Sequence, residues 1–451
     1  MNLCGNTAHT IPGDHMQKSI WLDEVQRSRF PKLERDLKTD VLIVGGGMAG
    51  LLCAWKLQQA GVDCALIEAG RICRGITGNT TAKITSQHGF VYHKLTKSFG
   101  EEKARLYYDA NQAALKEYRI LSQRFSCNLE RKKNCVYTRK DPGVLEQEWD
   151  ALSKLGIPAL YSRQVGVPVE TLGGIFFPDQ AQFHPLKLAE GIAKRLNIYE
   201  NTPAREFGPN RVKTDHGMIR AEKIIIATHF PLINKHGGFF LKLYQERSYV
   251  LALKGGPDVK GMYLDEGKDG LSFRNYGDLL ILGGGSHRTG KPTRGWEPLE
   301  EFAREHYPDG KIRYRWAAQD CMSLDGVPYI GQYSSRTPDL YVATGFNKWG
   351  MTGSMISAMV LTDRVLGREN PWEELFDPSR NMLTPQLFVN GVESTRNLLT
   401  PTKPRCPHLG CALKWNAQEH SWDCPCHGSR FDERGKLLDN PASGDAKNIE
   451  K

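Results

Sequence analysis

The chain has 451 residues, 40% of them hydrophobic, enough for two or three packed domains, which excludes a disordered or fibrous protein. Its net charge of +9 comes from 60 basic residues interspersed with 51 acidic ones, with no long basic run; this is a solvated surface, and no nucleic acid partner is expected. Eleven cysteines are too few for a disulfide scaffold at this length, and four of them fall between 406 and 426. Met1 to Phe30 has no apolar signal core. The apolar stretch Leu340 to Leu361 is interrupted by Asn347 and Lys348 and is rich in Gly, so no membrane span is expected and the cytoplasm is the expected location.

Residues 1–38 are polar, carry Trp21 and Phe30, and read as an irregular leader packed on the first domain. Residues 40–68 then read as strand, glycine turn, helix and second strand. In Gly45-Gly46-Gly47-Met48-Ala49-Gly50, Gly45 permits the tight turn, Gly47 lets the backbone approach a pyrophosphate, and Gly50 lets helix and strand pack closely. The helix N-terminus faces the phosphates. Glu68 ends the second strand, eighteen residues past Gly50, where an acid accepts ribose hydroxyls. A dinucleotide site is expected here, with NAD and FAD both open.

The hydroxyl-rich segment Gly75 to Lys83, including Thr77, Thr80, Thr81 and Ala82, reads as a loop able to lie against a cofactor. Helical spacing of apolar residues runs from Lys94 to Phe125, and a second helix spans about Gly143 to Leu155. Gly173 to Pro178 reads as a strand and turn, and His184-Pro185 opens another helix. Residues 222–228 form a strand suited to burial on both faces of a parallel sheet. Residues 244–285 alternate like strands and end in a second glycine cluster, but its sixth position is Arg288, so no second dinucleotide fingerprint exists. Asp339 to Gly345 is a strand entering a glycine turn, with a helix opening near Thr352-Gly353. A polar segment from Arg368 to Arg405 marks a domain boundary, with one strand expected around Leu387 to Val389.

The glycine turn with Glu68, the Ile-Ile-Ala-Thr strand, Asp325 to Gly331, and the late strand with Gly345 to Gly353 resemble the FAD-dependent D-amino-acid oxidase and glycine oxidase superfamily over about residues 36–370. The resemblance implies an α/β fold: a discontinuous Rossmann-like FAD domain (about 39–92, 180–232 and 318–372) and an α+β substrate domain (93–179 and 233–317). It implies that Gly45, Gly47, Met48, Ala49, Gly50 and Glu68 hold the ADP half of FAD. By the same likeness Thr77, Thr80, Thr81 and Ala82 run along the pyrophosphate and flavin, and Gly350, Met351 and Thr352 lie by the far end of the flavin. With one fingerprint occupied by FAD, no ordinary NAD(P)H site remains, and electrons must come from a small substrate oxidised at the flavin. The superfamily points to an amine or amino acid. His287 and Lys348 are the first candidates for catalysis, and Arg247, Tyr249 and Arg274 for binding a substrate carboxylate.

The tail reads Cys406-Pro407-His408-Leu409-Gly410-Cys411, then Cys424-Pro425-Cys426-His427-Gly428-Ser429. Two Cys and two His are also a zinc donor set, but zinc modules usually place two or more residues between paired ligands. The one-residue gap in Cys406-x-His408 instead suits one ligand to each of two irons. The pattern resembles a Rieske 2Fe-2S centre, which implies Cys406 and Cys424 on one iron and His408 and His427 on the other. The likeness also implies a Cys411–Cys426 disulfide, unusual in a cytoplasmic protein. Phe431 stands where high-potential relatives carry Tyr, so a potential low in the Rieske range of about −150 to +300 mV is expected. Ser429 is left to bond a cluster sulfide. A shortened β module over 405–451, leaning on the flavin domain after a linker at 373–404, is the expected architecture.

The resulting expectation is a flavin-dependent amine or amino-acid dehydrogenase that passes electrons through the cluster to an unknown acceptor. Two rivals are an oxidase using oxygen, with a structural or redox-sensing cluster, and a non-catalytic electron carrier. A Rieske oxygenase is disfavoured because no 2-His-1-carboxylate iron site is recognisable.

Overall fold

The protein is described by a computed structural model covering residues 17–267, 270–402, 404–447 and 449. The first part of the leader, 1–16, lies outside the described residues. From Ser19 onward the leader is anchored: the short helix Ile20–Glu24 buries Trp21, whose ring meets His184 and Tyr276 edge-on and whose Nε1 donates to Thr80 O at 2.7 Å.

The first sheet is built around the parallel strands Leu37–Val44, Cys64–Ile67, Met218–Ile226 and Leu340–Thr344. Val44 lies opposite Ile67 on one side and Ile226 on the other. The central residues are continuous apolar runs because both faces are covered, one by helix residues such as Leu51 and Met355 and the other by Val212, Phe230, Phe239 and Leu243. Helix Met48–Gln59 packs against helix Gly350–Val365, so the glycine turn and the late glycine segment come to one end of the sheet. The late helix opens at Gly350, a little earlier than its sequence pattern suggests.

The second sheet has nine strands. Its pivotal strand, Leu243–Lys254, pairs antiparallel with Leu279–Arg288 on one side and Lys311–Ser323 on the other. Side chains alternate across such a strand, so it has two working faces. Helix Tyr92–Arg124 supports this sheet and is broken at Gly100, whose φ of +87° is open to glycine at little cost.

The strand expected around Leu387 to Val389 is helical instead. Helix Pro385–Leu399 starts with Thr384 accepting from Leu387 N–H and with Pro385 in the first turn, a strong start signal that outweighs three β-prone residues. The segment expected as a linker therefore contains this helix and the short helix Glu373–Phe376. Beyond it stands a four-stranded antiparallel sheet of three-residue strands, Lys414–Asn416, Ser421–Asp423, Arg430–Asp432 and Leu437–Asp439. Among the described residues no helix is long and apolar enough to cross a membrane.

Candidate functional site: a nucleotide cavity and a cysteine-histidine centre

A cavity of about 1910 Å³ opens at the glycine turn and runs between the two large sheets. At its inner end Gly45 has φ +112°, and a Cβ there would lie 2.4 Å from Ala227 O. A Cβ on Gly50 would lie 1.9 Å from Gly45 O, so the closure of the turn on its own helix excludes any side chain. At Gly47 a Cβ would meet nothing nearer than Thr77 Oγ1 at 3.4 Å, leaving room on the cavity side of the helix start, where a phosphate group fits. Gly47→Val is therefore expected to fold but to lose FAD during gel filtration, whereas Gly50→Ala is expected to reduce the yield of folded protein. Flavin absorbance per folded chain separates the two outcomes.

Glu68 lines the cavity and accepts from Gly46 N–H at 2.8 Å and Gly70 N–H at 2.9 Å. Burial raises its carboxyl above the usual range against the pull of these N–H groups. Thr77 Oγ1 accepts from Met48 N–H at 3.0 Å, tying the hydroxyl-rich loop to the helix start beside Ala49. The loop is held from outside by Arg274, which donates to Thr81 O at 2.6 Å and Ala82 O at 2.8 Å. Arg274 is thus a buried brace for the loop, and its guanidinium is not free to bind a substrate carboxylate.

At the cavity's other end, Tyr118 OH donates to Met351 O at 2.8 Å. Thr352 Oγ1 lies 3.2 Å from His88 Nε2, and His88 stacks on Trp349 with ring centroids 4.5 Å apart. Burial pushes His88 down to about 3, so this imidazole is neutral. Lys348 forms an ion pair with Glu246 at 2.8 Å and bonds Ser286 Oγ. Asp320 lies directly across the sheet from Glu246 and lines the same cavity, with no hydrogen-bond partner for its carboxylate among the described residues. Burial raises Asp320 to about 6, even though Lys348 opposes the shift. Neither His88 nor Asp320 was singled out by the sequence, because an isolated His or Asp in a strand or loop carries no motif.

His287 and Lys348 both line this cavity, but from different walls. Ser286 turns toward Glu246, so the next residue, His287, points to the opposite face, where its ring stacks on Tyr249 at 5.7 Å. Arg247 and Tyr249 share that face. Arg247 Nε donates to Glu419 Oε1 at 2.5 Å, with a second bond from its Nη2, and Tyr249 OH donates to the same carboxylate at 3.2 Å. The expected carboxylate fork exists, but the carboxylate is the chain's own Glu419. Burial alone would raise Glu419; the guanidiniums of Arg247 and Arg430 overcome it and hold the carboxyl at about 2.

This second face is the floor of the C-terminal domain. Gln245 Nε2 donates to His427 O at 2.7 Å and Asn440 O at 3.1 Å, and Gln319 Nε2 to Gly428 O at 2.8 Å. Arg288 reaches Pro425 O at 3.0 Å and Cys426 O at 3.1 Å. A Cβ on Gly428 would lie 2.6 Å from Gln245 Cβ, so glycine is needed where the ligand loop touches the sheet.

Cys406, Cys424 and His427 are buried and His408 is partly so, and the imidazole centroids lie 5.0 Å apart. The Nδ1 atoms of both histidines are buried without a hydrogen-bond partner, while their Nε2 atoms are engaged elsewhere. Burial lowers His408 to about 4 and His427 to about 3, giving the neutral imidazoles that metal ligation needs. A hydrogen bond from Cys424, with others from Ser429 and backbone N–H groups, lowers the Cys406 thiol to about 7 despite its burial. Ser429 is thus aimed at a cysteine sulfur in this structure. Cys411 and Cys426 form a disulfide joining the two loops. Both lie close to Cys424, but sulfurs bonded to each other are unavailable as thiolate ligands. Two free thiols and two unpartnered Nδ1 atoms fit a 2Fe-2S centre.

Comparison with known proteins agrees with both halves. The family model for FAD dependent oxidoreductases matches residues 40–364, and that for the Rieske [2Fe-2S] domain matches residues 385–450, so the latter includes the helix Pro385–Leu399. A Bacillus subtilis protein named as a Rieske 2Fe-2S iron-sulfur protein, YhfW, is 32% identical over 498 residues, covering 96% of this chain and 97% of that one. Gamma-glutamylputrescine oxidoreductase of Escherichia coli is 26% identical over 388 residues, with 78% and 88% covered. The solved structure of glycine oxidase from Geobacillus kaustophilus has the same fold, with a TM-score of 0.64 at 18% identity over 77% of this chain and 100% of that one. With an FAD-binding domain and a 2Fe-2S domain in one polypeptide, the chain belongs to the FAD dependent oxidoreductase family and carries a Rieske domain at its C-terminal end.

Proposed function

We propose that the protein dehydrogenates a small amine or amino acid at FAD and passes the electrons singly through the 2Fe-2S centre to a one-electron acceptor. The single observation that carries this reading is the shared strand Leu243–Lys254: Glu246 and Arg247 line the nucleotide cavity, and Gln245 and Arg247 hold the C-terminal domain. Gly45, Gly47, Met48, Ala49, Gly50 and Glu68 cradle the ADP half, Thr77 to Ala82 line its course, and Gly350 to Thr352 close the far end. Cys406 and Cys424 hold one iron, and His408 and His427 the other.

When bound, FAD supplies two-electron oxidation of the C–N bond and the cluster supplies one-electron transfer. The chain's own residues orient the substrate and manage its protons. Lys348, held on the cavity wall by Glu246 and Ser286, is a cationic group placed to meet an anionic substrate end. Asp320 is the base that takes the proton from the substrate ammonium, and its carboxylate form predominates above about pH 6. The amine so formed gives up two electrons and one proton as a hydride, which bound FAD would accept, and leaves as an iminium ion. Asp320→Asn is expected to slow anaerobic flavin reduction by about 10²- to 10⁴-fold and to remove the pH dependence near 6. An anaerobic screen of amines and amino acids, following flavin bleaching, tests the reading as a whole. Bleaching by a member of either class supports it, and failure across both classes would favour an electron carrier without its own substrate.

A further inference from the structure

The outer nitrogens of the two ligand histidines each have a hydrogen-bond partner in the flavin part. His408 Nε2 lies 3.0 Å from Asn234 Oδ1, and His427 Nε2 lies 2.9 Å from the carbonyl oxygen of Phe240. Each acceptor can take only a proton from its imidazole, so both rings carry hydrogen on Nε2 and offer a bare Nδ1 on the inner side. The Phe230 ring meets both imidazoles edge-on, at 6.2 and 6.0 Å.

All three contacts come from residues 230–240, a connection between two elements of the flavin part. It begins after the buried strand Met218–Ile226, and Ala227, next along, supplies the carbonyl that crowds Gly45 in the nucleotide turn. It leads to the strand Leu243–Lys254, and it is pinned at its start by Asn440 Nδ2, which donates to Thr228 O at 2.6 Å and Phe230 O at 3.1 Å. His229, which lines the nucleotide cavity, bonds Gln245 Oε1 at 3.1 Å, and Gln245 Nε2 in turn bonds His427 O. The main chain of the ligand loop at His427 is thereby joined to the cavity wall through two side chains.

We infer that Asn234 is a positioning residue for the cluster: with the Phe240 carbonyl it clamps the histidine edge onto the flavin part, making that edge the electron entry side and closing it to the external acceptor. A hydrogen-bond acceptor on a ligand imidazole raises the electron density of that ligand, and outer partners of this kind tune a metal centre strongly. The acceptor must then meet the cluster from another side. The inference rests on the proposed flavin-to-cluster reading for its direction of flow, but its test does not depend on any substrate.

The experiment is an electron paramagnetic resonance redox titration of the full-length holoprotein, with FAD and iron measured in each sample, for wild type, Asn234→Leu and Asn234→Asp. Leu removes the acceptor and is expected to shift the cluster midpoint upward. Asp strengthens the acceptor with a charge and is expected to shift it downward. Opposite shifts at unchanged FAD and iron content support the clamp, because a general loosening would not depend on the sign of the substitution. Unchanged midpoints, or shifts in one direction for both variants, would overturn it. A water-soluble hydroxyquinone, added as a probe for free imidazole N–H, is expected to leave the wild-type spectrum unaltered; a change in wild type would show an open edge and overturn the inference. If no substrate bleaches the flavin while these shifts appear, the catalytic reading fails and the clamp stands.

Discussion

Cys424→Ser is expected to abolish the 2Fe-2S absorption and leave FAD in place. Cys424 is 1% exposed, and its sulfur is directed at Cys406 in the gap between the two ligand loops. A serine oxygen is harder than a thiolate and remains protonated, so it is a poor partner for iron. Loss of even an outer partner costs about 10- to 100-fold in metal affinity, so loss of a ligand is expected to exceed that range. The flavin is held by the turn at Gly45 to Gly50 and the loop at Thr77 to Ala82, which Cys424 does not touch. Iron analysis together with the visible spectrum tests this. Retained cluster absorption in Cys424→Ser would move the ligand role to another residue, and parallel loss of FAD would mean that the two sites fold as one unit.

Glu419→Ala is expected to undock the C-terminal domain. The Glu419 side chain is 8% exposed and receives Arg247 and Tyr249 from the flavin part and Arg430 from its own sheet. Removing it leaves the buried Arg247 guanidinium without its counter-charge, a change that costs about 3–5 kcal/mol, while Arg430 keeps Asp423 and Asp439. Denaturant unfolding followed at the cluster band and at flavin fluorescence is expected to show the cluster transition moving to lower denaturant and parting from the flavin transition. The pH dependence has a definite sign. The folded carboxyl is held at about 2, below its ordinary 4.5, so the stability it contributes is complete above the ordinary value and is lost as pH falls toward 2. In wild type the domain contact is therefore expected to weaken only in strong acid, and in Glu419→Ala that acid-dependent component is expected to be absent.

The parts of the protein that were legible in the sequence are those where the chemistry is local. Gly45 to Gly50 followed by Glu68 is a single strand-turn-helix-strand unit, and every residue of its logic lies within thirty positions. Cys406, His408, Cys424 and His427 sit on two short loops, and the spacing alone separates an iron pair from a zinc site. Arg247 shows where such reading stops. A strand reading Leu-Tyr-Gln-Glu-Arg-Ser-Tyr has polar residues on both of its faces, a sign that both faces bind something, yet alternation cannot say that one face meets a cofactor cavity and the other a domain more than 170 residues away. The direction of His287 is equally hidden: a bulge in the pairing opposite Arg247 and Tyr249 decides which way Ser286 and His287 turn. Asn234 and Glu419 carry no motif at all, because their roles exist only once two domains are in contact. The helix Pro385–Leu399 stands where a strand is expected, although Thr384-Pro385 offers the signal. The short helices Ile20–Glu24, Ile76–Asn79 and Glu373–Phe376 stand in segments read as irregular, loop or linker.

The central claim is that electrons removed at the flavin leave through the fused cluster within the same chain. It is tested most directly by reducing the flavin anaerobically with a light pulse and following the flavin and cluster bands by stopped-flow or flash absorbance at several protein concentrations. The account predicts that the cluster band bleaches as the reduced flavin reoxidises, with a rate independent of protein concentration, and that Cys424→Ser leaves the flavin reduced. A cluster that stays oxidised beside a reduced flavin, or one reduced only at a rate proportional to protein concentration, would contradict it.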